Sequence, residues 1–472
     1  MSLPEVAFTI TDGALGILPS SSDYVSAKIG CCSSGTVNTV YGFTDQGTVV
    51  STLGSGPLVE ALCHQLAVAG GIVYGVRATG TTAGSNSAVT QSGTGPVVSV
   101  AGTPLDAYDV KIKIIVGGAL ATATMKYSLD GGVNYSQEIA TAATYVIAGT
   151  GLTLTMASGT YAAAEVYSFT AVAPVYDATS LGVAMTALFA AAYSYKFVHI
   201  VGQVAGNDAA AKATACATVA GAVDVALVAA AAAYRYTRAI VEGPDIAQAT
   251  LAAAFTAVAP TRVMVSQGFA TYSSMLTGRS ISRSSAWTIA ARMGMVPVHE
   301  DLGRVMTGAL TNVTAINYDE RATPGGDANR LATLRTFIGL PGFYITAGRT
   351  LATALSDYQL IQYGFVMDKL CGILRTALLR YLNDSVRVDA TTGFILEVEA
   401  QRIEAEVTAK LSAGLIASGN ASSIAFTVSR TENMLSSATL RTITRCVPMA
   451  YSREIVADVG FKNPALTPVT PS

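Results

Sequence analysis

The sequence predicts a multidomain protein of mixed α/β class (α/β with α+β parts): an α/β core, an inserted all-β module and extended strand arms at both ends. Three observations carry this. Strands alternate with helices after residue 176, short amphipathic strands crowd residues 97–174, and an isolated strand pattern stands near each end. Alternation of strand and helix implies parallel pairing with crossovers, whereas closely spaced short strands imply an all-β unit.

We divide the 472 residues into an N-terminal arm (1–25), a first part of the α/β core (26–90), the inserted all-β domain (91–175), a second part of the core (176–345), a C-terminal domain (346–449) and a C-terminal arm (450–472). In the first arm, "LPEVAFTITDG" puts Val6, Phe8 and Ile10 on one face and Glu5, Thr9 and Thr11 on the other, with Pro4 where a strand can begin. "TLGSGPLVEALCHQLAVAGG" is a turn feeding a short helix, and "IVYGVRA" is the next strand. A polar Gly/Ser/Thr linker (79–96) then leads into the β-module, where Val110, Ile112 and Ile114 alternate with Asp109, Lys111 and Lys113.

Beyond Pro174 the predicted order is strand "KFVHIVGQV", helix 208–233, strand "YTRAIVEGP", helix 245–258, strand "RVMVSQG" and a helix at 284–295. After a Gly/Pro loop at 323–327, "GFYITAGRTLA" (342–352) reads as a strand. "SDYQLIQYGFVMDKLCGILRTALLRYL" has apolar residues at helical spacing, with Ser356 and Gln359 as its capping box. Such a helix of about 26 residues would be about 39 Å long. A second helix at 397–417 carries the pairs Glu399–Arg402 and Glu406–Lys410 on an exposed face. "SIAFTVSR" and "ATLRTITRCVPM" are strands. In the last arm Tyr451, Ile455, Ala457, Val459 and Phe461 share one face of a strand with no local partner.

Composition narrows the function. Hydrophobic residues make up 51% and charged residues 13%, against roughly 25% charged in ordinary soluble proteins. The uncharged stretch 178–195 is diluted by Ala, Ser, Thr and Gly, and 209–234 is interrupted by Lys212 and Asp224; both read as buried helices, with no direct membrane insertion. No basic region followed by an apolar core opens the sequence, so no secretory signal is expected. Six scattered cysteines lack metal spacing and fit a reducing compartment. A net charge of −2 leaves no electrostatic footprint for nucleic acid. So little charge implies a surface largely hidden against other chains.

Catalytic motifs are missing: there is no GxxxxGK[ST], HExxH or GxSxG. His64, His199 and His299 lie in separate segments, and His199 within "FVHIV" reads as a satisfied core residue. "HEDLGR" (299–304) is a solvated loop, "GSGPLVEAL" a plain helix start and Asp130 in "SLDGGVNYS" a turn residue. No catalytic, cofactor-binding or metal residues are therefore predicted, and no cofactor.

The order of parts resembles the tail sheath proteins of contractile-tailed bacteriophages and contractile injection systems. The resemblance rests on the arm "LPEVAFTITDG", the inserted β-module with "YSLDGG", the α/β core, "GFYITAGRTLA" before a long helix, and the late "PMAYSREIVADVGF". It implies a tail-sheath-like architecture and a structural subunit, not an enzyme. Such subunits stack as hexameric rings around a tail tube and contract to drive the tube through the host envelope. Partners would be further copies of the chain, the tail tube protein, and baseplate and tail terminator proteins. The location would be a virion tail, of a phage or a phage-like particle, assembled in the bacterial cytoplasm. The strand arms (Val6, Phe8, Ile10; Tyr451, Ile455, Val459, Phe461) would pair with neighbouring subunits, around hinges at Gly13–Gly16 and "ASGNASS". Lys369, Arg375, Arg380, Arg402 and Lys410 are the candidate tube contacts. Two other classes stay open: another self-assembling shell or surface-layer protein, and an α/β enzyme with an unrecognised site.

Overall fold

The computed structural model describes residues 22–461. Its centre is a six-stranded sheet in the order Val263–Val265, Arg238–Val241, Phe197–Ile200, Ser26–Gly30, Val73–Arg77, Val40–Phe43. The first five are parallel to their neighbours and only Val40–Phe43 is antiparallel. The strands Ser26–Gly30, Phe197–Ile200 and Arg238–Val241 are buried at every residue, as in a sheet covered on both faces.

The helices that cover it or extend from it are α1 (Gln46–Leu53), α2 (Pro57–Ala69), α3 (Ala178–Ala190), α4 (Ala209–Ala232), α5 (Gln248–Ala254), α6 (Ala286–Met295), α7 (Ile361–Leu378) and α8 (Glu397–Leu411), with a short turn of helix at Met434–Ser437. One core joins Phe197, Ile240 and Met264 of the sheet to α1, α2, α6, α7 and α8. The opposite core joins Ile29, Val198, Ile200 and Val241 to α3, α4 and α5. Helix α4 is long and apolar enough to cross a membrane by length and composition. It lies on the sheet through Cys216, Ala220, Val223, Leu227 and Ala230, one stripe at helical spacing. Asp208 caps it, accepting from Ala211 N at 2.8 Å, and Asp177 with Ser180 forms a capping box on α3.

Residues 85–172 hold the short strands. Thr124–Ser128, Tyr108–Val116 and Val166–Val172 are the middle of one antiparallel sheet; Thr144–Ile147, Leu152–Met156 and Val98–Ala101 form another. Between them lies a separate core of Val110, Ile112, Ile114, Met125, Leu154 and Phe169. The two chain ends of this unit meet: Val175 N donates to Thr82 O and Thr82 N to Val175 O, both at 3.0 Å. Downstream, α7 and α8 pack with the hairpin Ala421–Val428/Thr442–Pro448.

Several local expectations are corrected. Helix α7 starts at Ile361, after Leu360 with no side-chain cap. Ser356 Oγ instead accepts from Tyr358 N in a turn, and Gln359 is drawn to Ala354 O and Arg349. Its 18 residues plus a 3-10 turn, Leu379–Tyr381, fall short of the expected length. The strand expected over 342–352 is Leu340–Ile345, because the chain then turns so that Arg349 and Leu360 bridge. Helix α5 is shorter than expected, and α8 ends in a π turn, Ser412–Ile416. Glu406 pairs with Arg402 and Tyr381 where Lys410 was expected, and Glu399 is buried between Arg387 and Arg402. Of the two hinges, Gly13–Gly16 lies outside the described residues. In "ASGNASS" Asn420 is buried, with its N–H on Leu415 O at 2.8 Å.

Candidate functional site

His199 is the titratable group closest to an active-site pattern, and its surroundings show what it does. Strand register places Lys28 beside it, and Glu242 follows the next strand by one residue. Lys28 Nζ donates to His199 Nδ1 at 2.8 Å, and His199 Nε2 lies 3.3 Å from Glu242 Oε1. Glu242 also accepts from Trp287 Nε1 at 2.7 Å and Gln203 Nε2 at 3.2 Å. Lys28, His199 and Glu242 are 1%, 0% and 3% exposed. The three side chains are buried against one another, and the network ties three neighbouring strands and α6 together.

This network, with His64 nearby, dictates a pH dependence. Burial, reinforced by Lys28 and His199, lowers His64 to about 3; burial and Lys28 lower His199 to about 4 against the pull of Glu242. An unfolded chain binds both protons near pH 6.5. From there down to about 4 the unfolded state holds more protons, so stability falls as pH falls. His64→Phe, in a site walled by Tyr272 and Trp287, removes one of the two groups. Urea unfolding across this range should show a shallower acid decline for His64→Phe; an unchanged slope would contradict the assignment.

The other sequence candidates separate. In "HEDLGR", His299 meets Asn420 at 2.7 Å, Glu300 accepts from Arg304, and Asp301 accepts from Gly303 N and Gln362, so the three side chains serve different partners. Among the described residues no group of three His, Cys, Asp or Glu is placed to hold a metal ion. Gly56 opens α2 packed against Cys31, Cys32 and Leu105. Asp130 does more than turn the chain. Its carboxylate accepts from Ser128 Oγ, Val133 N, Asn134 N, Asn134 Nδ2 and, across to the body, Ser280 N at 3.0 Å. Burial opposes its ionisation, but these bonds win and hold its pKa below the usual range.

Beside it, Asp106 is buried between Arg283, at 2.7 Å, and Arg279, which also reaches Glu60 at 3.5 Å and lies over the Tyr108 ring. These contacts fasten the β-module to the body. The sequence reading did not find them, since Asp106 and Arg279 are 173 residues apart.

The expected assembly residues fall into two groups. Val6, Phe8 and Ile10 lie outside the described residues. At the other end, Tyr451 is half-buried against its own chain: its hydroxyl donates to His299 O, and its ring is 5.4 Å from that of Tyr363. Arg453 lies 3.7 Å from Asp327, which Arg349 already grips through Nε and Nη2 at 3.0 and 2.9 Å. Past that point residues 454–461 form no strand and stand exposed, Ile455 at 83% and Val459 at 87%, with Phe461 exposed as well. Among the basic residues, Lys369 is paired with Asp23 at 2.5 Å, Arg375 lies over the Tyr234 ring, and Arg402 is held by Glu399 and Glu406. Arg380 is exposed and Lys410 half-buried. The hairpin Ala421–Val428/Thr442–Pro448 is a two-stranded sheet, so each strand has one edge unpaired among the described residues.

No curated protein matches the chain. Among solved structures, a chain of the anti-feeding prophage baseplate, 6-fold symmetrised, aligns over 98% of this chain and 99% of its own with a TM-score of 0.54 at 10% identity. The same baseplate in its contracted state gives 0.53 at 12% identity, covering 98% of both chains. The sheath tail protein from Desulfitobacterium hafniense covers 94% of this chain and 100% of its own, with a TM-score of 0.44 at 11% identity. The fold is thus shared with these anti-feeding prophage baseplate chains, in line with the resemblance read from the sequence. Family models match residues 3–349, as the DUF2586 N-terminal domain, and residues 357–466, as the DUF2586 C-terminal domain. Matched over nearly its whole length, the chain belongs to the DUF2586 family.

Proposed function

We propose that the chain is a structural subunit of a contractile tail sheath. Stacked hexameric rings of it surround a tail tube, and their rearrangement drives the tube through an envelope. The observation that carries this reading is the exposed alternating segment 454–461 beside a hairpin with open edges. Left alone, such a segment and such an edge are aggregation hazards; exchanged between subunits, each completes the other by β-augmentation. Tyr451 and Arg453 hold the root of the arm to its own body, so the swapped strand begins at Glu454. Val6, Phe8 and Ile10 take the remaining edge from another neighbour.

Contraction on this reading uses no catalytic group. The extended lattice stores energy in its packing, behind a kinetic barrier, and large movements repack bistable interfaces while the paired strands keep the lattice connected. Baseplate and terminator proteins cap the ends, the tube lies inside, and the particle is a virion tail or a phage-like relative assembled in the bacterial cytoplasm. Arg380 and Lys410 are the tube-facing residues of choice. Negative-stain microscopy of the purified chain should show long hollow tubes. Sheets or closed particles would indicate a shell protein, single unstacked rings would move the chain to a terminal position, and small discrete oligomers would defeat the proposal.

On this reading the β-module lies outside the lattice. Its ends already meet at Thr82 and Val175, where an insertion is tolerated. Replacing residues 83–174 with a short Gly/Ser linker should leave tubes intact. Arg279 and Arg283 lose Asp106 in that variant, so a stability loss of a few kcal/mol is expected. A folded variant that makes no tubes would put the module within the lattice.

A further inference from the structure

At the seam between the β-module and the body lies a pocket of about 320 Å³, near the lower end of the ~300–1,000 Å³ usual for small-molecule sites. Tyr108, Tyr127 and Tyr135 reach it from the module, and Ser55, Glu60 and Thr277 from the body. The charges around it are already matched. Asp106 is held by Arg279 and Arg283. Glu60 accepts from Ser274 Oγ at 2.7 Å and lies 3.5 Å from Arg279, while Asp130 accepts from Ser128, Val133, Asn134 and Ser280. The hydroxyls are not all matched. Ser136 and Thr150 donate theirs to Gln137 O and Ile147 O. Tyr108, in contrast, is only 8% exposed, and its hydroxyl has no hydrogen-bond partner among the described residues. Arg279 covers one face of its ring. Burial, reinforced by Asp106, pushes the ionisation of this phenol up, so it keeps its proton and can donate. Ser55, Tyr135 and Thr277 line the same space with their hydroxyls likewise unpaired.

We infer that this pocket binds a neutral sugar ring. An ionic ligand would meet no surplus charge, since each carboxylate is engaged and the lining guanidinium, Arg279, is shared between Asp106 and Glu60. A purely apolar ligand would cover the unpaired hydroxyls without giving them partners, which is unfavourable. A pyranose supplies what is left over. Its hydroxyls can donate to and accept from Tyr108, Ser55 and Thr277, each of which has both capacities. Its C–H faces can lie on the rings of Tyr127, which is half-buried, and Tyr135, which is 41% exposed, because an aromatic face carries partial negative charge. The pocket stands independently of the sheath proposal. With both, the module carries it on the outer flank of the tail, within reach of a glycan on a target surface.

Saturation-transfer NMR on the full chain tests this with the methyl glycosides of glucose, galactose, mannose and N-acetylglucosamine, each at millimolar concentration. At least one should receive saturation, since a ligand of this size binds at about the millimolar level. Tyr108→Phe removes the hydroxyl and keeps the ring, and should weaken binding about tenfold. Thr277→Val, on an exposed loop, should weaken it about threefold with the unfolding midpoint unchanged. Methyl glycosides of glucosamine and sialic acid check the charge argument: tighter binding of either than of the neutral sugars would overturn the assignment to a neutral ligand. No transfer to any neutral sugar, or binding unaffected by both substitutions, would overturn the inference as a whole.

Discussion

A chain ending at Arg453, without residues 454–472, should fold, remain soluble and form no tubes. Residues 454–461 make no strand pairing with their own body, and surface changes of this kind alter stability by no more than about 0.5 kcal/mol. The monomer's unfolding midpoint should therefore barely move. Assembly, in contrast, loses a strand's worth of backbone hydrogen bonds and apolar contact at every subunit. The double variant Ile455→Asp with Val459→Asp keeps the backbone but puts charges on the apolar face, and should have the same effect. Keeping Tyr451 and Arg453 in the truncated chain matters, since both contact the body. Tubes of normal length from either variant would falsify arm exchange at this end.

The largest loss of stability is expected at Asp368. Its carboxylate sits between two guanidiniums, accepting from Arg238 Nε at 2.8 Å and Nη2 at 3.3 Å and from Arg262 Nη1 at 3.1 Å. Arg238 is on a central strand and only 2% exposed, and Asp368 is on α7, so the pair joins the sheet to the C-terminal helices. Asp368→Ala leaves a buried guanidinium without its counter-charge, which costs about 3–5 kcal/mol. Asp368→Asn keeps acceptors and should lose less. Gly364 serves the same contact: a Cβ there would lie 1.9 Å from the Arg238 guanidinium carbon, so Gly364→Ala should mimic part of the loss. Urea unfolding of the monomer measures all three. A change below about 1 kcal/mol for Asp368→Ala would show that the network is not needed to dock α7.

Much of this architecture was legible from short-range pattern. The Ala-rich helix, the strands at 197–200, 238–241 and 263–265, and the alternation of Val110, Ile112 and Ile114 all express a period that neighbouring residues set together. Where local pattern misled, a tertiary partner had intervened. The Ser356–Gln359 box fails because Gln359 is taken by Arg349 and Ala354 O. The expected Glu406–Lys410 pair fails because Arg402 and Tyr381 claim the carboxylate. Likewise, Lys369 is a candidate tube contact by sequence, but Asp23, 346 residues away, holds it.

By itself, then, the sequence determined the classes of element and their order, each a property of residues close together in the chain. Tertiary structure decided which charges are free. It buried Asp106 with Arg279 and Arg283, Asp368 with Arg238 and Arg262, and Lys28 with His199. An ionised side chain has the same pattern in sequence whether it faces water or a distant counter-charge. Only folding removes the water and makes the partner obligatory.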